Sequence, residues 1–253
     1  MIIDCFASLG HWPFRRLADS DADSFVRLLD GYGITQAWVA PFEGLYYRHL
    51  AAANREILAQ VARQPDRLVP WAVINPATPG WGDDLRQALE GGCQGLRLHP
   101  NYHGYDLTHP ALRDLLATAS QAGLPMAIVH KVQDERLQHP LCQVPAVEMD
   151  VAPLVAACPQ APLLCLGIGQ PFITQHRDLI ATGQVYVDIS RLEGVEGVRW
   201  AVDQVGAGQV LLGSHAPYFY LEAALLKIQE AGLTPEERVK VLGGNAQELF
   251  PRE

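Results

Sequence analysis

Eight short apolar runs, each followed by a segment of helical periodicity, pace this chain from end to end and leave few folds open to it. The runs are IIDCFAS (2–8), QAWVAPF (36–42), LVPWAVIN (68–75), QGLRLH (94–99), MAIVHK (126–131), LLCLGIG (163–169), VYVDIS (185–190) and QVLLGSH (209–215). They alternate little between apolar and polar, the pattern of strands covered on both faces in a parallel sheet. Between them, DADSFVRLLDGYG sets Phe25, Leu28 and Leu29 on one face before a glycine stop. HPALRDLLATASQAG opens with proline in its first turn and closes on Gly123, as helix ends usually do. Alanine-rich YYRHLAAANREILAQVARQ ends before Pro65, and further helical runs fill 81–91, 151–157, 173–182, 195–205 and 220–231. Eight such units predict one α/β domain over residues 1–253, a single (β/α)8 TIM barrel. An open doubly wound sheet fits less well, because no G-x-G-x-x-G follows the first strand. The tail TPEERVKVLGGNAQELF predicts an extra C-terminal helix, with Thr234 as N-cap and Glu237 three residues on, a capping box.

Composition narrows the partners. A net charge of -9 argues against nucleic acid or an anionic membrane surface. The five cysteines are scattered and form no C-x-x-C pair, so they read as reduced thiols of a cytoplasmic protein. The opening MIIDCFASLG has no basic stretch and no long apolar run, which is not the pattern of a signal peptide, and no run approaches the length of a bilayer span. The expected partner is a small-molecule substrate, and exposed helix faces would permit a homodimer.

In a barrel of this kind, chemistry sits where the strands end. Those positions hold Asp4, Ser8, Glu43, Asn75, Arg97, His99, His130, Lys131, Asp188, Ser190 and His215. Strand side chains alternate, so Arg97 and His99 share a face, as do Asp188 and Ser190. His215, at the Gly-Ser corner of VLLGSHAPYF, is a candidate base because imidazole titrates near neutrality; the plainer reading is a core histidine bonded to backbone. His99 and His130 are candidates on the same footing. A guanidinium at Arg97, beside His99, would suit a carboxylate by its bidentate fork, although it could equally belong to a structural ion pair. Arg191 and Arg136 are weaker candidates for that task. Tyr102, in the NYHGY loop, could line a pocket mouth or simply cap the barrel. Cys165 reads as a buried, inert thiol, and Asp4 as structural.

The layout, with IIDCFASLG, GLRLHP, MAIVH, VYVDIS, LLGSHAP and LGGNAQELF, resembles the amidohydrolase superfamily, in particular its amidohydrolase-2 group of metal-dependent TIM-barrel hydrolases and decarboxylases. The resemblance spans nearly the whole chain. It implies a metal site opened by His-x-His on the first strand, yet Phe6 and Ser8 stand at those two places. The sixth strand's histidine corresponds to Cys165 and the eighth strand's aspartate to His215, while His130 alone is unchanged. Phenylalanine cannot ligate, and zinc prefers nitrogen, sulfur or carboxylate donors. The family also includes lactonases that work without metal.

These residues point first to a hydrolase of a small polar, carboxylated substrate, a lactone or similar ester or amide, with no metal favoured. His215 would activate water, His99, His130 or Lys131 would polarise the carbonyl, and Arg97 would clamp the carboxylate. Ser8, Asn75, Tyr102, Asp188 and Arg191 complete the expected substrate contacts. Two rivals remain: a metal-dependent amidohydrolase or decarboxylase holding zinc or manganese on His99, His130 and His215, and a catalytically inactive binding protein.

Overall fold

The computed structural model describes residues 1–250. All eight apolar runs become parallel strands: β1 (Ile3–Leu9), β2 (Gln36–Pro41), β3 (Leu68–Val73), β4 (Gly95–Leu98), β5 (Met126–Val129), β6 (Leu163–Leu166), β7 (Val185–Asp188) and β8 (Val210–Leu211). They pair in sequence order from β1 to β8. Helices stand between them: α1 (Ala22–Gly31), α2 (Leu50–Val61), α3 (Trp81–Glu90), α4 (Pro100–His103), α5 (Pro110–Gln121), α6 (Ala152–Ala157), α7 (Gln170–Ile180), α8 (Gly197–Val205) and α9 (Leu221–Glu230). The result is the expected (β/α)8 barrel. No helix among the described residues is long and apolar enough to cross a membrane.

β8 is much shorter than the run that predicts it, and the seam with β1 is closed by irregular backbone. Cys5 N–H donates to the Leu212 carbonyl (2.8 Å), His215 N–H to that of Phe6 (2.6 Å) and Ser8 N–H to that of Ala216 (3.0 Å). With one isolated bridge, Ala7 to Ala216, the two sides meet without an unbroken ladder, and on its other edge β1 slips register against β2 between Asp4 and Ala7.

Alternation splits the buried side chains into two shells. Leu96, Leu98, Ile128, Cys165, Val187 and Leu212 pack with the helices. Trp38, Trp71, Val73, Ala127, Val129, Leu164, Leu166 and Leu211 fill the interior. Trp38 and Trp71 stack with centroids 5.1 Å apart, and Phe250 sets its edge against Trp38.

The tail departs from one continuous helix. The capping box of Thr234 and Glu237 forms at the head of α10 (Pro235–Val239). A π-type turn over Lys240–Gly244 then leads to α11 (Asn245–Glu248). The break falls at Gly243, where a Cβ would stand 2.8 Å from the Met1 carbonyl oxygen, so only glycine lets the tail pass this close beneath β1. Asn245 donates to the carbonyls of Ala207 (2.7 Å) and Val210 (2.8 Å), tying the tail to β8.

Candidate active site

Arg97 occupies the barrel interior, in register with Val73 on one side and Ala127 on the other. Its side chain is fully buried. One terminal nitrogen donates to the Ala7 carbonyl (2.7 Å) and Ser8 Oγ (3.2 Å), the other to the Trp38 carbonyl (3.3 Å). The guanidinium carbon lies 5.1 Å from the centroid of the Phe6 ring, a cation–π distance. Burial lowers its pKa to about 10, against the pull of Asp4 and Asp188, so it remains a cation at neutral pH. Its Nε–H has no partner.

The two carboxylates near it are tied to backbone. Asp188 accepts from Gly167 N–H (2.7 Å) and Ser190 N–H (2.8 Å). Asp4 accepts from Phe6 N–H (3.1 Å) and from both the N–H (2.9 Å) and the hydroxyl of Ser214. Burial raises both carboxyl pKa values, that of Asp4 to about 6.

Asp4 has a second consequence, because the segment it holds carries His215. This residue sits at φ 58°, in the left-handed region that costs a non-glycine residue about 1–2 kcal/mol. The grip of Asp4 on Ser214, the His215 N–H bond to Phe6 and the donation of Ala216 N–H to Ser214 Oγ (2.9 Å) hold it there. The imidazole stacks on Phe6 with centroids 4.4 Å apart. Its Nε2 lies 2.8 Å from the Val132 carbonyl. A carbonyl only accepts, so Nε2 carries the proton and Nδ1 the lone pair. That Nδ1 is buried without a partner, as are Nδ1 of His99 and of His130. Burial drives the His215 pKa down to about 3, and Arg97 and Arg191 act in the same direction against the Val132 bond. Burial, with His103, Arg97 and His215, likewise holds His99 well below the usual imidazole range. Both rings are neutral at physiological pH.

Rings close the cluster from above. Tyr218 and Phe219 lie 5.1 Å and 5.0 Å from the His215 ring, and Trp12 packs on Tyr218 at 4.9 Å. Tyr102 stands edge-on to His99 (6.3 Å) and to Tyr46 (5.4 Å). Arg191 lies over Phe219 at 5.9 Å. His215 is 1% and His99 4% exposed beneath this cover.

Several expectations change. The three histidines do not make a metal set: among the described residues no group of three or more His, Cys, Asp or Glu could hold a metal ion. Val129 faces the interior at the end of β5, and His130, one residue on, borders a small crevice with Lys131, Gln133 and Tyr102. Burial, Lys131 and Arg191 lower its pKa. Lys131 itself pairs with Glu135 at 2.6 Å. Arg97 cannot present a bidentate fork to a substrate, since both of its terminal nitrogens serve β1 and β2. Cys165 is the buried, inert thiol expected, packed outward among helix residues, with Leu166 the inward residue at the end of β6. Asn75 accepts from Ala77 N–H (3.0 Å) in a tight turn. Arg136 pairs with Asp134. Neither the aromatic cover Tyr218–Phe219 nor the hold of Asp4 on Ser214 is legible in the chain alone, because both depend on how the β8–β1 seam closes.

The chain matches a family model described as "Amidohydrolase" over residues 7–252. Among curated proteins none matches it. Solved structures that share the fold include 2,6-dihydroxybenzoate decarboxylase from Rhizobium, at TM-score 0.76 and 16% identity, covering 98% of each chain. A probable 2-pyrone-4,6-dicarboxylic acid hydrolase from Acinetobacter baumannii, with citric acid bound, has TM-score 0.70 and 16% identity, again with 98% of each chain covered. A 5-carboxyvanillate decarboxylase from Novosphingobium aromaticivorans, with bound manganese, has TM-score 0.68 and 14% identity over 89% of this chain and 80% of that one.

The residues present do not fit such an ion. Phe6 offers no donor, Ser8 Oγ is engaged by Arg97, and a guanidinium fills the space beside both positions. A divalent ion there would meet a fixed positive charge instead of a set of donors.

Proposed function

The chain belongs to the amidohydrolase family, and from that premise we propose that it hydrolyses a small carboxylated lactone or similar activated ester without a metal. The observation that carries this reading is the pair formed by His215, a neutral imidazole with a free Nδ1 lone pair, and Arg97, a buried cation with one unspent N–H. His215 Nδ1 accepts a proton from water as the water oxygen adds to the lactone carbonyl carbon. The charge that builds on the carbonyl oxygen is met by Arg97 Nε–H, with His99 beside it. Collapse breaks the ring C–O bond, and the departing oxygen takes the proton from His215, leaving a hydroxy acid. An imidazole with so low a pKa is a weak base, which suits a lactone better than an unactivated amide. Ser8 holds Arg97 in place, Asp188 supports its charge, and Arg191 and Tyr102 stand at the cover where an entering carboxylate passes. His130, Lys131 and Asn75 are given no part in this step.

The test is a pH-stat assay on a panel of carboxylated lactones and aromatic carboxylic acids, run below the first pKa of carbonic acid. Lactone opening releases protons; decarboxylation, the chemistry of several fold neighbours, consumes them. Proton release that is lost in His215→Asn supports the reading. Proton uptake on an aromatic acid, or full turnover by His215→Asn, overturns it.

A further inference from the structure

A cleft of about 660 Å³ opens at the rim of the barrel, between the β1–α1 loop, the segment after β8 and the first turns of α9. Tyr220, at the head of α9, stands on its edge and is 88% exposed. Leu137, from the long loop after β5, also borders it and is 72% exposed. Val195, two residues beyond the bordering Glu193, is 97% exposed. Along α9, Tyr220, Ala223 and Leu226 follow at three-residue spacing on one face, and Leu226 is 43% exposed. Bare apolar side chains are normal singly, but four around one cleft form a patch of the kind that marks an interaction site. At those exposures they leave on the order of 500 Å² uncovered, most of the roughly 800 Å² that each partner gives a standard interface.

The charges of the cleft balance overall but are unevenly placed. Arg15 and Arg16 stand on the wall made by the β1–α1 loop, with the half-buried Asp19 beside them. Glu193 and Glu222, both exposed, stand on the wall made by the segment after β7 and the head of α9. Lys227, on that second wall, is turned inward, where Nζ donates to the carbonyls of Ser190 (2.9 Å) and Ile189 (3.3 Å). Arg15 is committed too, donating to the Tyr218 carbonyl (2.8 Å) and lying over that ring at 4.7 Å. Arg16 is then the outward cation of one wall, and the two glutamates are the outward charges of the other. A small ion finds no excess of charge here. A second copy of the chain finds a match, because a twofold axis running along the cleft lays each wall against the opposite wall of the partner.

We propose that this rim is the interface of an isologous homodimer, in which each cleft receives the partner's Tyr220 and Arg16 faces the acidic wall across the axis. A tyrosine brings large, rigid apolar area at little cost in side-chain entropy, which is why it is frequent at the centre of interfaces. The rings of Tyr218 and Phe219 in the cleft wall give it a surface to pack on. The assignment goes beyond the proposed reaction and is independent of it, since it uses neither His215 nor Arg97.

Sedimentation equilibrium tests it. Wild type is expected to form a dimer at micromolar concentration, and Tyr220→Ser to weaken that dimer at least about tenfold, the loss of a central aromatic anchor. Arg16→Glu should weaken it by a similar factor, and so should the double variant Glu193→Lys/Glu222→Lys, because like charges then face each other across the axis. An equimolar mixture of these two charge variants should dimerise as tightly as wild type, since every wall again meets one of opposite sign. Val239→Ser, which removes a bare apolar residue from α10, should change nothing. All the substituted residues are exposed, so the variants keep their fold and report on association alone. A wild-type chain that stays monomeric would overturn the assignment. So would a dimer that tolerates Tyr220→Ser or either charge reversal, a dimer lost on Val239→Ser, or charge variants that remain monomeric when mixed.

Discussion

Replacing Arg97 by methionine tests whether a side chain supplies the central charge of this barrel. The guanidinium makes three hydrogen bonds, to the carbonyls of Ala7 and Trp38 and to Ser8 Oγ, and a bond from a charged donor contributes about 1.5–3 kcal/mol. Methionine leaves those acceptors without the donor and removes the cation that faces Asp4 and Asp188. Against this, the substitution relieves the desolvation of the guanidinium, a penalty of several kcal/mol. The balance is a loss of about 3–5 kcal/mol, the range for deleting one partner of a buried charged set. A domain of ordinary stability survives that, so urea unfolding can measure it. The deficit should also grow with pH. Burial already raises the Asp4 pKa to about 6, and removal of the facing cation raises it further. The folded variant then holds a proton that the unfolded chain releases, and its stability falls as pH climbs past 6. Arg97→Lys should recover part of the loss, since an ammonium keeps the charge but cannot reach β1 and β2 together. A loss below about 1 kcal/mol for Arg97→Met, typical of an uninvolved site, or a deficit that does not change with pH, would refute the reasoning.

Other consequences follow from the same geometry. His215 has its pKa lowered to about 3, so between that value and the ordinary imidazole pKa the unfolded chain binds a proton that the folded one does not. Its contribution is present above about pH 6.5 and is lost on acidification, by about 2 kcal/mol at pH 5. Asp4 opposes part of this, but urea unfolding of wild type and His215→Asn at pH 7 and pH 5 isolates the histidine; equal acid sensitivity of the two proteins would contradict the assignment. Gly213→Ala should destabilise the chain by about 1–3 kcal/mol, because a Cβ there would stand 2.8 Å from Oδ2 of Asp188. Unchanged thermal unfolding of that variant would argue against the packing described.

The barrel was legible because parallel strands buried on both faces read as unbroken apolar runs, and all eight stand where such runs do. What could not be read was which way each strand's last residue points. A shift of one position exchanges inside for outside, which is why His130 reads as an inward residue when Val129 occupies that face. Arg97 was assigned the right face but the wrong depth, since a long side chain can reach across the interior as easily as out of the mouth. His215 was found because a polar residue after a Gly-Ser corner stands out; its neutral state depends on the rings of Phe6, Tyr218 and Phe219, which only the closed seam brings over it. Tyr220 gave no signal, being one aromatic residue at the head of an amphipathic helix.

The most direct measurement for the account as a whole is elemental analysis of the protein purified without chelator and again after growth in medium supplemented with zinc and manganese. With Arg97 seated beside Phe6 and Ser8, both preparations should carry metal far below one ion per chain. Stoichiometric zinc or manganese in either, lost on His99→Ala or His215→Ala substitution, would contradict it.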